Sequence, residues 1–258
     1  MGRLTSFHLQ ANPRICAEVL QLFRFSPTTR IRLIVRVYNP DFQWVPSDVA
    51  LFTAWHDLVA IPTKSIQHLT VGDQGSPWLQ ATSNVDGANC DSAGNPMFYF
   101  ELILPQAPFL PERIVRAFKS LPLYALRTLH YNLSVPLRPT DWAEMLEDAQ
   151  ALVATHINHF ALSFIDYLAQ SRGAGIVLPE LRTLTINTFA LRDVAAGFGQ
   201  HTPLGIRAAR GTRLETLYVQ GRTEGTDAEA FIGSVENDVG RVVRCGAVTQ
   251  NQFHVRHD

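Results

Sequence analysis

The sequence predicts an α/β solenoid, with a parallel sheet on the concave face and helices on the convex face. Two observations predict it. Leu126-Arg127-Thr128-Leu129, Leu181-Arg182-Thr183-Leu184 and Leu214-Glu215-Thr216-Leu217 are near copies, each followed at the next-but-one position by Tyr131, Ile186 or Val219. The segments between such stretches carry helix signals, so strand and helix alternate, as a parallel sheet requires.

The shared pattern, L-x-x-L-x-Φ with Φ apolar, is the strand signature of leucine-rich repeats. Weaker copies are Leu4, Phe7 and Leu9; Ile66, Leu69 and Val71; and Ile157, Phe160 and Leu162. Leu33 with Val35, and Phe100 with Leu102, give partial copies that start at Arg30 and Met97. The starts then fall at 4, 30, 66, 97, 126, 157, 181 and 214, on average about 30 residues apart, looser than regular repeats. The Asn that often follows such a strand stands only at Asn12. The expectation is an irregular leucine-rich-repeat-like domain of about eight repeats over 1–246, with a tail over 247–258. Antiparallel strands, or helices on both faces of the sheet, would refute the solenoid.

The first helix is expected from Pro13 to Phe25, where Ile15, Val19, Leu22 and Phe23 form one apolar stripe. Ser47 caps the next, which runs through Phe52 and Trp55 and stops before Pro62. Pro111 opens a helix through Phe118 that Pro122 closes, since proline suits a first turn whose amide is unpaired anyway. Thr140 caps Asp141-Trp142-Ala143-Glu144-Met145-Leu146, with its acidic residues at the positive end of the helix dipole. Thr226-Asp227-Ala228-Glu229 reads as a capping box before Phe231 and Ile232. Between the third and fourth repeats, residues 72–96 are poor in helix signals and rich in Gly, Asn and Asp, so a loop excursion is expected there.

With 46% hydrophobic and 17% charged residues, the composition is that of a folded chain. Against 22 basic residues stand 23 acidic ones, which gives no bulk reason to expect nucleic acid. Cys16, Cys90 and Cys245 lie too far apart for a CxxC metal site or a disulfide framework, which points to a reducing compartment, cytoplasmic or nuclear. No segment has the apolar length of a membrane span, and Met1-Gly2-Arg3 turns polar too early for a signal peptide. Gly2 with Ser6 matches the short myristoylation pattern, but Leu4 and Phe7 read better as strand residues. The strand from Leu4 to Gln10 would leave an open edge, so upstream sequence is expected to be missing.

Chemistry-bearing motifs are sparse. His156 and His159 form H-x-x-H, but positions three apart on a strand point to opposite faces, so no metal site is expected. His254, His257 and Asp258 belong to the tail. Gly197-Phe198-Gly199 starts a GxGxxG that Thr202 breaks, and it reads as a helix break. Asn132-Leu133-Ser134 matches a glycosylation site by chance, and Glu147 and Asp148 belong on a solvated helix face. The expectation is a non-enzyme with no cofactor.

Residues 110–246 resemble the repeat region of basidiomycete fungal F-box proteins. The resemblance rests on Leu121-Pro122-Leu123-Tyr124-Ala125-Leu126-Arg127-Thr128-Leu129, Leu178-Pro179-Glu180-Leu181-Arg182-Thr183-Leu184, Gly211-Thr212-Arg213-Leu214-Glu215-Thr216-Leu217 and Asp238-Val239-Gly240-Arg241-Val242-Val243. It implies a substrate-recognition module of a cullin-type ubiquitin ligase, whose F-box would dock a Skp1-type adaptor. No F-box stands in this sequence. Phe109-Leu110-Pro111-Glu112-Arg113-Ile114-Val115 resembles an F-box opening but falls inside the array and reads as a repeat helix. A Skp1-type adaptor is therefore a partner only if an upstream F-box exists, and the alternative is a stand-alone repeat scaffold.

On either reading the expected partner is another protein, held by a monomer, with no nucleic acid and no membrane. It would meet the side chains between the repeated apolar positions. The central row is expected to be His8, Ile34, Thr70, Glu101, His130, Ala161, Thr185 and Tyr218. Ser6, Arg32, His68, Tyr99, Thr128, His159, Thr183 and Thr216 would flank it on one side, and Gln10, Arg36, Asn132, Ser163, Asn187 and Gln220 on the other. Arg and Tyr are favoured hot-spot residues, so Arg32, Arg36, Tyr99 and Glu101 direct attention to the N-terminal half.

Overall fold

The protein is described from a computed structural model. The structure describes residues 5–23, 25, 29–36, 45–59, 66–73, 77–82, 98–103, 111–172, 175–191, 202–221 and 227–246. In chain order the strands are β1 (Ser6–Ala11), β2 (Arg30–Arg36), β3 (His68–Asp73), β4 (Pro77–Thr82), β5 (Phe98–Ile103), β6 (Thr128–Asn132), β7 (Ala154–Ile157), β8 (Ser171–Arg172), β9 (Gly175–Ile176), β10 (Thr183–Asn187), β11 (Thr216–Gln220) and β12 (Arg241–Cys245). The helices are α1 (Pro13–Leu22), α2 (Val45–Val59), α3 (Pro111–Lys119), α4 (Pro139–Met145), α5 (Ala161–Leu168), α6 (Pro203–Ala209) and α7 (Asp227–Val235).

The fold is mixed α/β. Ten strands form one open sheet in the order β1-β2-β5-β4-β3-β6-β7-β10-β11-β12, and β8 pairs with β9 apart from it. Every pairing in the large sheet is parallel except those of β4, which runs antiparallel to β3 and β5, so the wholly parallel sheet expected of a solenoid does not form.

Alternate strand residues point into one core. Ile31, Leu33, Val35, Leu69, Val71, Leu129, Tyr131, Leu184, Ile186, Leu217 and Val219 are buried together with Leu20, Trp55, Phe118, Trp142, Phe164, Leu204 and Phe231 from the seven helices. The rings of Tyr131, Trp142 and Phe164 meet edge to face at 4.8 and 5.0 Å, the favoured arrangement for aromatic quadrupoles. The other strand positions lie outside this cluster and form a face that is helix-free among the described residues.

A backbone motif recurs where the parallel strands begin. The Gln67 carbonyl accepts from the amides of Arg127 and Thr128, that of Arg127 from Val153 and Ala154, that of Val153 from Arg182 and Thr183, and that of Arg182 from Glu215 and Thr216. One carbonyl thus satisfies two successive amides of the next strand. Leu126, Leu152, Leu181 and Leu214 stand just before β6, β7, β10 and β11, and all are fully or almost fully buried.

Several expectations need correction. The units at 30, 66, 97 and 126 do not lie side by side in chain order, because β3 joins β6 while β5 joins β2. The expected excursion over 72–96 contains the end of β3 and all of β4; residues 83–96 lie outside the described residues. The sixth repeat strand is Ala154–Ile157 rather than a copy starting at Ile157, and Ala161–Leu168 is helical. Ala161, Phe164, Ile165 and Leu168 are buried at helical spacing, and that period outweighs the chance strand match of Ile157, Phe160 and Leu162. Helix α4 is capped by Arg138, not Thr140, with the Asp141 carboxylate accepting from the Arg138 amide at 2.7 Å. Strand β12 extends the sheet past the last expected repeat. Gly197-Phe198-Gly199, Thr226, Cys90 and the tail lie outside the described residues.

Candidate functional site

Strand register fixes which side chains share a row on the helix-free face. His8 pairs with Arg32 and Arg32 with Tyr99; Tyr99 lies beside Gln80, and Gln80 beside Thr70. The row continues through His130, His156, Thr185, Tyr218 and Val243. His8, Thr70, His130, Thr185 and Tyr218 therefore stand in one row, as the sequence pattern predicts.

Ile34 and Glu101 do not join them. They pair with each other and with Gln10, one step along the strands, while Arg32 and Tyr99 take the central places. The cause is the run of alternating apolar residues Ile31, Leu33 and Val35. A slip of two residues along such a run keeps the same face, so the sequence fixes the face but not the row. Ile34 is also 7% exposed, and offers a partner almost no contact area. Arg36 falls beside Ile103 at the far end of the same face, and the side chains of Arg36 and Tyr99 lie outside the described residues. Ala161, His159 and Ser163 leave the face altogether: Ala161 and Ser163 belong to α5, and His159 follows β7.

His156 takes the vacated central place, opposite His130. Their ring centroids are 5.4 Å apart. His156 Nε2–H donates to Asn158 Oδ1 at 2.6 Å, and Asn158 Nδ2 donates to Asn132 Oδ1 at 2.8 Å. One strand away, His68 Nδ1 is hydrogen-bonded to Thr128 Oγ1. On β10 and β11, Asn187 stands beside Gln220 in the row of Asn132.

The electrostatics follow from this crowding. Solvent reaches the His130 ring, yet the protein around it disfavours the imidazolium, and His156 and His68 add like-charge repulsion, so its pKa lies below the ordinary 6.5. Burial lowers the pKa of His156 as well, and the Asn158 hydrogen bond opposes part of that. Both rings are therefore neutral at pH 7.

Other chemistry is weak elsewhere. Among the described residues no group of three or more His, Cys, Asp or Glu could hold a metal ion. Burial pushes the Cys16 thiol up to about 12, which leaves no reactive thiolate. A hollow of 260 Å³ on the helix side, lined by Glu144, Glu147, Gln150 and Tyr167, is below the roughly 300–1,000 Å³ of small-molecule sites. Among the described residues no helix is long and apolar enough to cross a membrane.

The His130–His156 pair is hidden from sequence reasoning because a sixth repeat starting at Ile157 falls five residues late. The signal that finds it is Leu152, which precedes Thr155 and Ile157 at the same spacing as Leu126 precedes Leu129 and Tyr131. Comparison with protein-family models, with curated proteins and with solved structures finds no match.

Proposed function

We propose that this chain is a protein-interaction module of irregular leucine-rich-repeat-like build, and that its helix-free sheet face holds the partner. The observation that carries the reading is the register itself. From β6 onward, parallel strands bring His130, His156, Thr185 and Tyr218 into one line, with Asn132, Asn187 and Gln220 in the next. Polar side chains lined up on an extended rigid surface suit recognition of a polypeptide better than enclosure of a small substrate. The antiparallel β4 departs from a regular solenoid, so the repeat reading applies chiefly to β6, β7, β10, β11 and β12.

The resemblance to fungal F-box proteins supports a substrate-receptor role in a cullin-type ligase, with a Skp1-type adaptor engaged only through an F-box. The alternative is a scaffold without a ubiquitin role. A photo-cross-linking residue at Thr185 or Tyr218 tests the surface, with Gln150 on the helix side as control. We expect one partner captured from the sheet positions only, and equal capture from Gln150 would overturn the reading. A Skp1 pull-down with the full-length gene product separates the two roles, and failure there removes the ligase role.

A further inference from the structure

Fixed charge is sorted by face in this sheet. The chain as a whole is balanced, with 22 basic and 23 acidic residues. On the helix-free face, however, β2 carries Arg30 and Arg32 and β12 carries Arg241, while Glu101 on β5 is the one carboxylate among the described strand residues of that face. Arg30, Arg32 and Arg241 are exposed.

Between these cationic ends lies the histidine group. The surrounding strands present His68, Thr70 and Gly72 from β3, Thr128, His130 and Asn132 from β6, Ala154 and His156 from β7, and Thr183, Thr185 and Asn187 from β10. His68, His130 and His156 are the titratable groups in that set, and no carboxylate, lysine or arginine joins them. Arg127 and Arg182 stand just before β6 and β10, outside the row, and Arg182 is paired with Glu215 and Glu180. Among the described residues, a protonated His130–His156 pair would have no counter-ion on this face. A carboxylate brought by a partner would supply one.

We propose that this face takes an acidic polypeptide segment, and that His130 and His156 bind protons from solvent as its carboxylates dock. The proposal rests on the reading that the face holds a polypeptide, and it names that partner's chemistry. Nucleic acid fits less well. Its phosphates require fixed cations along a continuous track, and β3, β6, β7 and β10 offer none on this face.

The probe is a fluorescein-labelled peptide of glutamate and glycine, titrated into the full chain at low salt near pH 8 and near pH 5.5, where glutamate stays ionised. A serine–glycine peptide with the same label is the control. Proton uptake on binding makes affinity rise as pH falls, by about tenfold or more over this range. H130N/H156N should lose that pH dependence and keep weaker binding through the arginines. R32Q/R241Q should bind more weakly at both pH values, and H159N should behave as the wild type. In the wild-type chain, the imidazole resonances of His130 and His156 should titrate at higher pH with the peptide than without, a readout that needs no variant. Absence of peptide binding at both pH values, or unchanged histidine titration in the complex, overturns the proposal. Equal affinity for a single-stranded oligothymidylate of the same charge overturns the choice of polypeptide. Cross-linking from Thr185 and Tyr218 would still report a partner in either case, so the two readings fail separately.

Discussion

Arg207 shows how one residue can hold a loop that its own helix does not contain. It is 1% exposed, and its guanidinium donates to the carbonyls of Val177 and Leu178 at 2.7 Å each and of Leu181 at 3.3 Å. Leu178 has a φ of 47°, in the left-handed region that a leucine rarely adopts. The clamp therefore fixes a strained turn just ahead of β10. Burial lowers the Arg207 pKa to about 10, so the group stays cationic at neutral pH. Replacing it with leucine would strand three carbonyls in the core, at a cost of about 3 kcal/mol or more. Arg207→Leu should lower the urea midpoint accordingly, and Arg207→Lys, which cannot fork to three acceptors, should fall between. A midpoint unchanged in Arg207→Leu would refute the clamp. None of this was legible in the sequence: an arginine in Pro203–Ala209 reads as a surface residue, and its partners stand far back along the chain. The central row was partly legible, because His130, Thr185 and Tyr218 follow the clearest repeats.

Elements were legible where two signals agreed. Helix α3 runs from the Pro111 that announces it to Lys119, next to the expected Phe118, and α1 keeps its start at Pro13. Strands β6, β10 and β11 follow their repeated leucines. Where one signal stood alone the reading failed, as at α5, whose helical period was set against a strand pattern. Strand β12 was missed because Val239 and Val242 sit before Arg244, with no third apolar residue to complete the pattern. Its entry depends instead on Gly240. A Cβ built there would lie 2.5 Å from the Glu215 carbonyl oxygen, at the point where the Gly240 amide bonds to Leu214. Gly240→Ala should therefore cost about 1–3 kcal/mol by forcing the backbones apart. Gly233, exposed within α7 with open space around its Cα, is the control: Gly233→Ala should stabilise by roughly 0.5–1 kcal/mol. Thermal midpoints moving in the same direction for both would contradict this.

At the scale of the whole molecule, the α/β class and the predominance of parallel strands were legible from alternation. The strand order was not, since nothing in an apolar pattern says which neighbour a strand will choose. The order divides the sheet into two kinds of pairing. From β6 to β12 each parallel contact closes a loop of roughly 25–35 residues, whereas β2 with β5 and β3 with β6 close roughly 60–70. Longer closures cost more chain entropy and depend on more of the structure being in place. In native-state hydrogen exchange, the amides of β10 and β11 should outlast those of β2 and β5. Uniform protection across the sheet would contradict that division. The reversed placement of β3, β4 and β5 also bears on how such a chain can vary in length. From β7 on, each strand of the large sheet bonds there only to the strands of that sheet that precede and follow it in the chain, so a strand and its helix can be duplicated or lost and the flanking strands can rejoin. In the stretch from β2 to β6 the sheet order does not follow the chain, because β2 bonds to β5 and β3 to β6. Gain or loss of such a strand and its helix therefore disturbs the sheet least on its C-terminal side.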